Sequence, residues 1–507
     1  MKDPVDCDVL IVGSGPTGVS LALLLAQQQA RVILVDKDAD IYPLPRAAHV
    51  DHEIMRIFQS LGVADEIMAT SRSVSRYDFL SADGNVLMRF GGAEQTGPGG
   101  WPVGNMIHQP SVERSLRNRI EQAQCIDFRT RWRFESHSES HGTSRAVFST
   151  PHGNRTLTAR FLVGADGTRS PVRQGAGIDL DDLQFDEPWL VIDAIVHDAS
   201  RLPDANLQIC DPARPTTCVL MGNGRHRWEF MIRPDENPQD LLDDKVIESL
   251  LSPWDVRGSV TLERKAVYRF NARVARTWRK GAVLLAGDAA HQMPPFAGQG
   301  LCSGVRDADN LAWKLGAVLR GAPDALLDDY QREREPNVRA IIDMSIMMGR
   351  TVCMTDPEAA TARDASMLAA HEAGTAQSQT LSYPPISAGC VLENTPGAGS
   401  YFPQPVGARQ QRLDDTLGSG AWLIRRSGQR GDESGLSYPT LTTVSLDEAA
   451  LAPFRAPLQA WLDAHAAPAV LVRPDRYVFG TGDGDTLAAS WQAAMNATDA
   501  NCRTAWR

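Results

Sequence analysis

At 507 residues, with 43% hydrophobic and 22% charged positions, the chain has globular composition and is long enough for two or three packed domains. A net charge of -11 argues against a phosphate backbone as partner, because proteins that bind one carry a basic face. The eight cysteines (Cys7, Cys125, Cys210, Cys218, Cys302, Cys353, Cys390 and Cys502) show no C-x-x-C pair and no zinc spacing, which fits reduced thiols in a cytoplasm.

The N-terminus "MKDPVDCDVLIVG" enters a strand pattern with no room for a charged region followed by an apolar signal core. The longest apolar run, "GVSLALLLA", is about half of a membrane span. A soluble cytoplasmic protein is expected, with neither nucleic acid nor membrane as partner. Strand, Gly-rich turn, helix and strand then follow in "VDCDVLIVG", "SGPTG", "VSLALLLAQQQ" and "ARVILVDKD", a βαβ unit whose strands are apolar enough to be covered on both faces. Gly13-Ser14-Gly15-Pro16-Thr17-Gly18 joins strand to helix, and Asp36, followed by Lys37, ends the second strand 18 residues past the last glycine. Glycines so placed allow a tight turn and let a pyrophosphate sit on the helix N-terminus, while the acid bonds a ribose. The motif marks a dinucleotide site without separating FAD from NAD.

"PLPRAAHVDHEIMRIFQSLGV" predicts a Pro-bounded loop and an amphipathic helix, with Ile54, Ile57, Phe58 and Leu61 on one side and Asp51 as cap. From about Tyr77 to Trp101, and again from about Asp186 to Phe270, short alternating segments predict antiparallel strands. An α/β pattern resumes in "MIHQPSVERSLRNRI", "ARFLVGADG" and "GAVLLAGDAAHQMPPFAGQG". "LLDDYQREREPNVRAIIDMSIMMGR" is strongly helical, and Met344, Met347 and Met348 recur in it at helical spacing, as core residues do. A Pro/Gly-rich stretch beginning "SYPPISAG" opens a last small domain.

Two more strand ends carry acids. "FLVGADGTRSPVR" holds Gly164, Asp166 and Gly167, and alone it is explained as well by an Asp-Gly turn. In "GAVLLAGDAAHQMPPFAGQG", Asp288 follows Gly287. A carboxylate there can accept hydrogen bonds from a polyol, and the bare backbone that follows can meet an electron-rich ring. His291 in the same stretch is read as structural.

Taken together, "GSGPTG", "GADG" and "GDAAHQMPPFAGQG" resemble the FAD-dependent aromatic hydroxylases of the para-hydroxybenzoate hydroxylase type, which are group A flavoprotein monooxygenases. More closely, "LPRAAHVDHEIMRIFQSLGV", "CDPARPTTCVL", "RFNARVARTWRKGAVLLAGDAAHQMPPFAGQGLCSGVRDADNLAWKL" and "LLDDYQRERE" resemble the 3-(3-hydroxyphenyl)propionate hydroxylases, over roughly residues 5 to 350. The resemblance implies an α/β fold with a Rossmann-like FAD-binding domain (1–76, 103–185 and 271–350), an inserted β-rich substrate domain (77–102 and 186–270), a helical linker (351–385) and a thioredoxin-like C-terminal domain (386–507). That last domain has no C-x-x-C, so packing or homodimer formation is its expected role.

Carried over position by position, Gly13, Gly15, Pro16, Thr17 and Gly18 would hold the FAD pyrophosphate. Asp36, with Lys37 beside it, stands where a longer Glu is usual at the adenosine ribose. Arg46 and Gln109 match cofactor-contacting positions, and Asp166 a motif shared by FAD and the nicotinamide donor. Gly287 and Asp288 would meet the ribityl chain, and Pro295, Gly298, Gln299, Gly300 and Leu301 the isoalloxazine ring. Many relatives have Met-Asn where Leu301-Cys302 stands, and Cys302 is read as a small packed residue.

The implied reaction is NAD(P)H- and O2-dependent hydroxylation of a phenol through a flavin C4a-hydroperoxide, ortho to the hydroxyl and yielding a catechol. The substrate would be 3-(3-hydroxyphenyl)propionate-like or resorcinol-like, and NADH is not separated from NADPH. His49 is the candidate base for the phenol. Arg225, His226 and Arg227 in "GNGRHRWEF" are candidates for a substrate carboxylate, against an exposed strand end, and Pro294 is a candidate substrate contact. A polycyclic substrate and a non-catalytic flavoprotein remain the alternatives, and no W-x-W-x-I-P element marks a halogenase. No metal is expected, since His49, His52 and Glu53 lack further ligands. His137 and His141 are read as a solvated loop.

Overall fold

A computed structural model describes residues 5–140, 142–373, 383–428 and 439–496. The first sheet has the strand order Arg279–Lys280, Val283–Leu285, Gly153–Gly164, Cys7–Val12, Val32–Val35, Ile126–Arg129. All neighbours from Val283–Leu285 onward are parallel, with Val9 opposite both Phe161 and Val32. Val9, Leu10, Ile11 and the whole of Val32–Val35 are buried, as strands covered on both faces require. On one face the helix Pro16–Gln27 packs against the long helix Gly300–Leu319.

This arrangement positions the site. Gly13 follows Val12, Asp36 follows Val35, Ala165 and Asp166 follow Gly164, and Ala286 to Asp288 follow Leu285. Four segments distant in sequence therefore meet outside the carboxyl ends of parallel strands, where open α/β sheets bind ligands.

The second sheet is ordered His291–Gln292, Val260–Ala275, Leu180–Val196, Arg225–Met231, Thr216–Met221, Asn206–Ile209, Arg76–Leu80, Val86–Gly91. Its two long strands begin at Leu180 and end at Ala275, past the alternating tract expected from 186 to 270, because pairing continues across an irregularity between Asp182 and Asp186. The charged "LDDLQFDE" hides that extension from a hydrophobicity pattern. One face packs Leu190, Ile192, Trp228 and Phe230 against the helix Asp244–Leu251. The other face looks toward the first sheet.

The third sheet, Leu441–Ser445, Ala421–Arg425, Ala469–Val472 and Val478–Gly482, is a mixed four-stranded unit with the helices Arg455–Ala464 and Gly484–Asn496, giving the thioredoxin-like domain. It meets the rest of the chain through buried charge. Arg473 Nη2 lies 2.7 Å from Glu333 and 2.5 Å from Asp475, while Lys314 Nζ lies 2.7 Å from Glu333. Arg56 and Arg476 share Asp414 at 2.6 and 2.9 Å.

Two local readings need correction. His137 lies in the strand Arg133–Ser140, its ring against Phe134, where a loop was expected; its neighbour His141 lies outside the described residues. Met348 is buried, but Met347 is 52% exposed, because the helix Asp328–Val352 turns that side outward. Cys502 and the end of the C-terminal domain, from residue 497, also lie outside the described residues. No helix among the described residues is long and apolar enough to cross a membrane.

Candidate active site

A cavity of about 610 Å³ runs from the Gly-rich turn to the second sheet. At its first end Gly13 has φ +104°, and a Cβ there would stand 2.3 Å from the Ala165 carbonyl oxygen. A Cβ on Gly18 would stand 1.9 Å from the Gly13 carbonyl oxygen, so these two glycines let turn, helix and sheet close on one another. Gly15 differs, because a Cβ there meets nothing within 4 Å and would project into the cavity. The helix that starts at Pro16 has no side-chain cap and no acid in its first turn. Its first N–H groups and positive dipole end are thus available to an anion.

Asp36 borders the cavity with its carboxylate already oriented. Oδ2 accepts from Ser14 N–H at 2.7 Å and Ser14 Oγ at 2.6 Å, and Oδ1 accepts from Asp38 N–H at 2.9 Å. Arg117 Nη2 donates to Ser14 Oγ at 2.8 Å. The short Asp side chain is pinned to the turn it faces, a role for Ser14 and Arg117 that the motif did not reveal.

Further along, Gln109 Oε1 accepts from the backbone N–H of Arg46 and Ala47 at 3.2 and 2.7 Å, fixing the loop that carries Arg46. Asp166 receives Val172 N–H on Oδ2 at 3.0 Å, while its buried Oδ1 has no partner in the protein. Burial pushes the Asp166 carboxyl above the usual range, while Asp288 stands exposed. Both border the cavity, so each offers a polar atom that a bound polyol or phosphate ester can satisfy. Gly287 lies behind, against Thr17, with its N–H on Asp307. His291 is buried with Nε2 2.5 Å from Asp307, which also holds Arg334 at 2.9 Å; it braces the strand end and does not line the cavity.

Pro294, Pro295, Gly298, Gln299, Gly300 and Leu301 line the next stretch. Gln299 is held from both sides, donating to Tyr383 OH at 2.7 Å and accepting from Arg306 at 3.1 Å. Arg306 in turn bonds Asp51 at 2.6 Å and Glu53 at 2.5 Å. Asp51 also caps its helix, accepting from Glu53 N–H and Ile54 N–H. His49 borders the cavity with Nδ1 3.3 Å from the Gly298 carbonyl oxygen. That oxygen can only accept, so Nδ1 carries the proton and Nε2 keeps its lone pair. Burial lowers the His49 pKa. His52 accepts Gly99 N–H on its Nδ1, so His49, His52 and Glu53 diverge. Cys302 is buried with its thiol on backbone carbonyls, and burial raises its pKa well above the ordinary value.

The far end is walled by the second sheet. Gln208, Thr217 and Glu229 are cross-strand neighbours and border the cavity. Thr217 Oγ1 donates to Gln208 Oε1 at 2.7 Å, Gln208 Nε2 donates to Tyr77 OH at 2.5 Å, and Tyr77 OH donates to the Phe296 carbonyl at 3.0 Å. Of the arginines expected near substrate, Arg227 borders the cavity. His226 does not, because strand alternation turns it to the opposite face, where Nε2 meets Cys218 Sγ at 3.0 Å and the ring packs on Trp228. Arg225 is paired with Glu263 at 2.8 Å outside the cavity lining.

Residues 6–345 match the FAD binding domain family. The chain belongs to the FAD-binding aromatic hydroxylases. Residues 447–497 match the HcaD C-terminal domain. The hydroxylase is 39% identical, over 93% of its length and 91% of the relative's, to a probable NADH-specific resorcinol 4-hydroxylase of Rhodococcus jostii. It is 33% identical, over 94% of its length and 89% of the relative's, to a 3-(3-hydroxy-phenyl)propionate/3-hydroxycinnamic acid hydroxylase of Mycolicibacterium gilvum. In fold it is similar to aklavinone-11 hydroxylase, solved with FAD and aklavinone (TM-score 0.79, 24% identity, 97% of this chain and 100% of that one). It is also similar to the flavin-dependent monooxygenase PieE, solved with FAD and substrate (TM-score 0.81, 22% identity, 98% and 100%). FAD is the hydroxylase's cofactor, and the open space at Gly15, the uncapped helix and the unpartnered Asp166 Oδ1 all fit such a group.

Proposed function

We propose that this hydroxylase uses NADH and O2 to hydroxylate a small phenol ortho to an existing hydroxyl, giving a catechol. The observation that carries the reading is the single cavity, which joins the dinucleotide end at Gly13 and Asp36 to a chamber walled by Tyr77, Gln208, Thr217 and Glu229. The names of the resorcinol and hydroxyphenylpropionate relatives support a phenolic ring in that chamber. Bound FAD supplies the electron and oxygen chemistry, and the protein supplies binding, orientation and a dry pocket.

In this reading Gly13 to Gly18, Asp36 and Lys37 hold the adenosine and pyrophosphate, while Arg46, Gln109, Asp166 and Asp288 line the middle. Pro294 to Leu301 shape the surface on which the phenol lies. His49 accepts the phenolic proton at Nε2, with Nδ1–H on Gly298 keeping the ring in that tautomer. A base must be neutral to act, and a lowered pKa keeps His49 neutral to more acidic pH. Wild-type kcat/KM should therefore stay level through neutral pH and fall only below the ordinary histidine range. His49→Ala should lose about 10²- to 10⁴-fold in hydroxylation, lose that acid limb and retain FAD. Wild-type turnover by His49→Ala at every pH would remove His49 from the mechanism.

The reading as a whole is tested by purifying the protein and following NADH and NADPH oxidation with resorcinol, 3-(3-hydroxyphenyl)propionate and simple hydroxybenzoates, with product identification. Yellow protein, substrate-stimulated NADH oxidation and a catechol product are expected. Colourless protein, or NADH oxidation indifferent to every phenol, would defeat it.

A further inference from the structure

The chamber at the second sheet has an unusual charge balance. Among the described residues, five Lys and Arg side chains border the cavity: Lys37, Arg46, Arg76, Arg133 and Arg227. Lys37 and Arg133 belong to the dinucleotide end, where the neighbouring Trp132 N–H is bonded to the Asp36 carbonyl. Arg46 stands at the middle of the cavity, on the loop that Gln109 fixes, with its guanidinium over the Tyr42 ring at 5.6 Å. Arg76 reaches Asp204 at 3.0 Å, and at 3.4 Å also Asp78, which Arg89 holds at 2.7 Å, so the two arginines and two carboxylates answer one another.

Arg227 is spoken for as well. Nε and Nη2 bond Asp193 at 2.6 and 3.2 Å, Nη1 bonds the Arg46 carbonyl at 2.8 Å, and Nη2 bonds the Pro45 carbonyl at 2.7 Å. Those four bonds leave one N–H of a guanidinium's five, on the Nη1 that lies 3.6 Å from Glu229. The Arg227 charge is therefore used to anchor the Arg46 loop, and Arg264 reinforces the anchor at Asp193 and Pro45.

Glu229 faces that remaining N–H, and with Asp193 it balances the charges of Arg227 and Arg264. Its side chain is 7% exposed and its carboxyl borders the cavity. Its cross-strand neighbour Thr217 has spent its proton on Gln208, the Tyr77 proton is committed to the Phe296 carbonyl, and one of the two N–H groups of Gln208 Nε2 is committed to Tyr77. Within this row acceptors outnumber donors for a ligand: the Glu229 carboxyl, the Thr217 oxygen and a lone pair on Tyr77 stand against the second N–H of Gln208. A carboxylate-bearing substrate would bring an unanswered negative charge into a buried space whose own charges already balance, at high cost. A hydroxyl brings a donor to a row in which acceptors predominate.

We infer that Glu229 accepts a hydroxyl hydrogen of the aromatic substrate, and that this hydroxylase selects a neutral ring with two or more hydroxyls over a phenol carrying a side-chain carboxylate. The inference rests on the phenol-hydroxylase reading above and names its substrate class. A hydrogen bond from substrate to a carboxylate also pushes electron density into the ring, so Glu229 positions and activates the ring through the hydroxyl other than the one that His49 serves.

The test titrates the oxidised holoenzyme, wild type and Glu229→Gln, with resorcinol and with 3-(3-hydroxyphenyl)propionate, reading the flavin absorbance change as binding. NADH oxidation is measured alongside, and flavin content reports folding. Wild type should bind resorcinol at least about tenfold more tightly than the propionate, and Glu229→Gln should weaken resorcinol by about tenfold or more, the usual worth of a hydrogen bond to a charged group, without weakening the propionate. Glu229→Asp, which keeps the charge one methylene shorter, should fall between, and it carries the comparison if the Gln variant loses flavin. Tighter binding of the propionate by wild type, or equal losses for both ligands in the variants, overturns the inference while leaving the hydroxylase reading intact. A wild-type protein that responds to neither compound and to no other phenol overturns the reading and the inference together.

Discussion

Alanine at Gly13 is expected to yield colourless protein. At φ +104° any side chain is strained, and the new Cβ would stand 2.3 Å from the Ala165 oxygen and 2.7 Å from its carbonyl carbon. That carbonyl cannot easily retreat, because Ala165 N–H is bonded to Val12 O at 2.8 Å, in line with the parallel pairing of the two strands. Strain of about 1 to 3 kcal/mol at one residue, added to the overlap, should cut FAD content at least about tenfold. Gly15→Ala separates folding from cofactor binding. Its Cβ meets nothing in the protein, so the thermal stability of the apoprotein should be unchanged while flavin affinity falls. Wild-type flavin content in both variants, read from absorbance after gel filtration, would move the cofactor away from this turn.

The second large effect is expected where the C-terminal domain meets the long helices. Arg473→Met removes the charge that answers Glu333 and Asp475 and the donor to the Cys390 carbonyl at 3.0 Å. Leaving such carboxylates buried and under-compensated costs about 3 to 5 kcal/mol, measurable by urea denaturation of the holoenzyme. Burial alone would raise the Glu333 pKa, but Arg473 and then Lys314 outweigh it and bring it to about 2, from an ordinary 4.5. A carboxyl depressed in the folded state contributes stability that is complete above pH 4.5 and is lost as pH falls toward 2. Wild type should show that loss across the window, and Arg473→Met should show a flatter one. Identical unfolding curves at neutral pH would mean that the network carries no net stability.

The cofactor end was readable because its demands are local and fall on the backbone. Gly13, Gly18 and Asp36 are fixed by one βαβ unit, and the two later acids announce themselves as polar residues that end apolar strands. The end of the cavity at the second sheet, where we propose the substrate lies, was not readable, because it is a matter of register. Gln208, Thr217 and Glu229 come from three strands, and Tyr77 from a fourth more than a hundred residues earlier. A shift of one residue reverses every face of a strand. "GRHRWEF" shows the consequence: it lies in a strand as expected, yet His226 faces a core and Arg227 the cavity. Arg306 was hidden for a similar reason, since its partners Asp51 and Glu53 lie 255 and 253 residues away. Met347 failed differently, because spacing shows which residues share a side of a helix without showing how far round the burial extends.

The cysteines have a bearing on how long such an enzyme survives its own chemistry. Burial pushes the thiols of Cys7, Cys210 and Cys390 up to about 12 and raises Cys302, beside the Gly298 segment, well above its ordinary value. The thiolate is the form that peroxide attacks. An oxygenase that consumes O2 without a ring to hydroxylate releases peroxide in its own interior, and there these sulfurs stand protonated and shielded, so futile cycling should cost the cell its nicotinamide reductant before it costs the protein its fold.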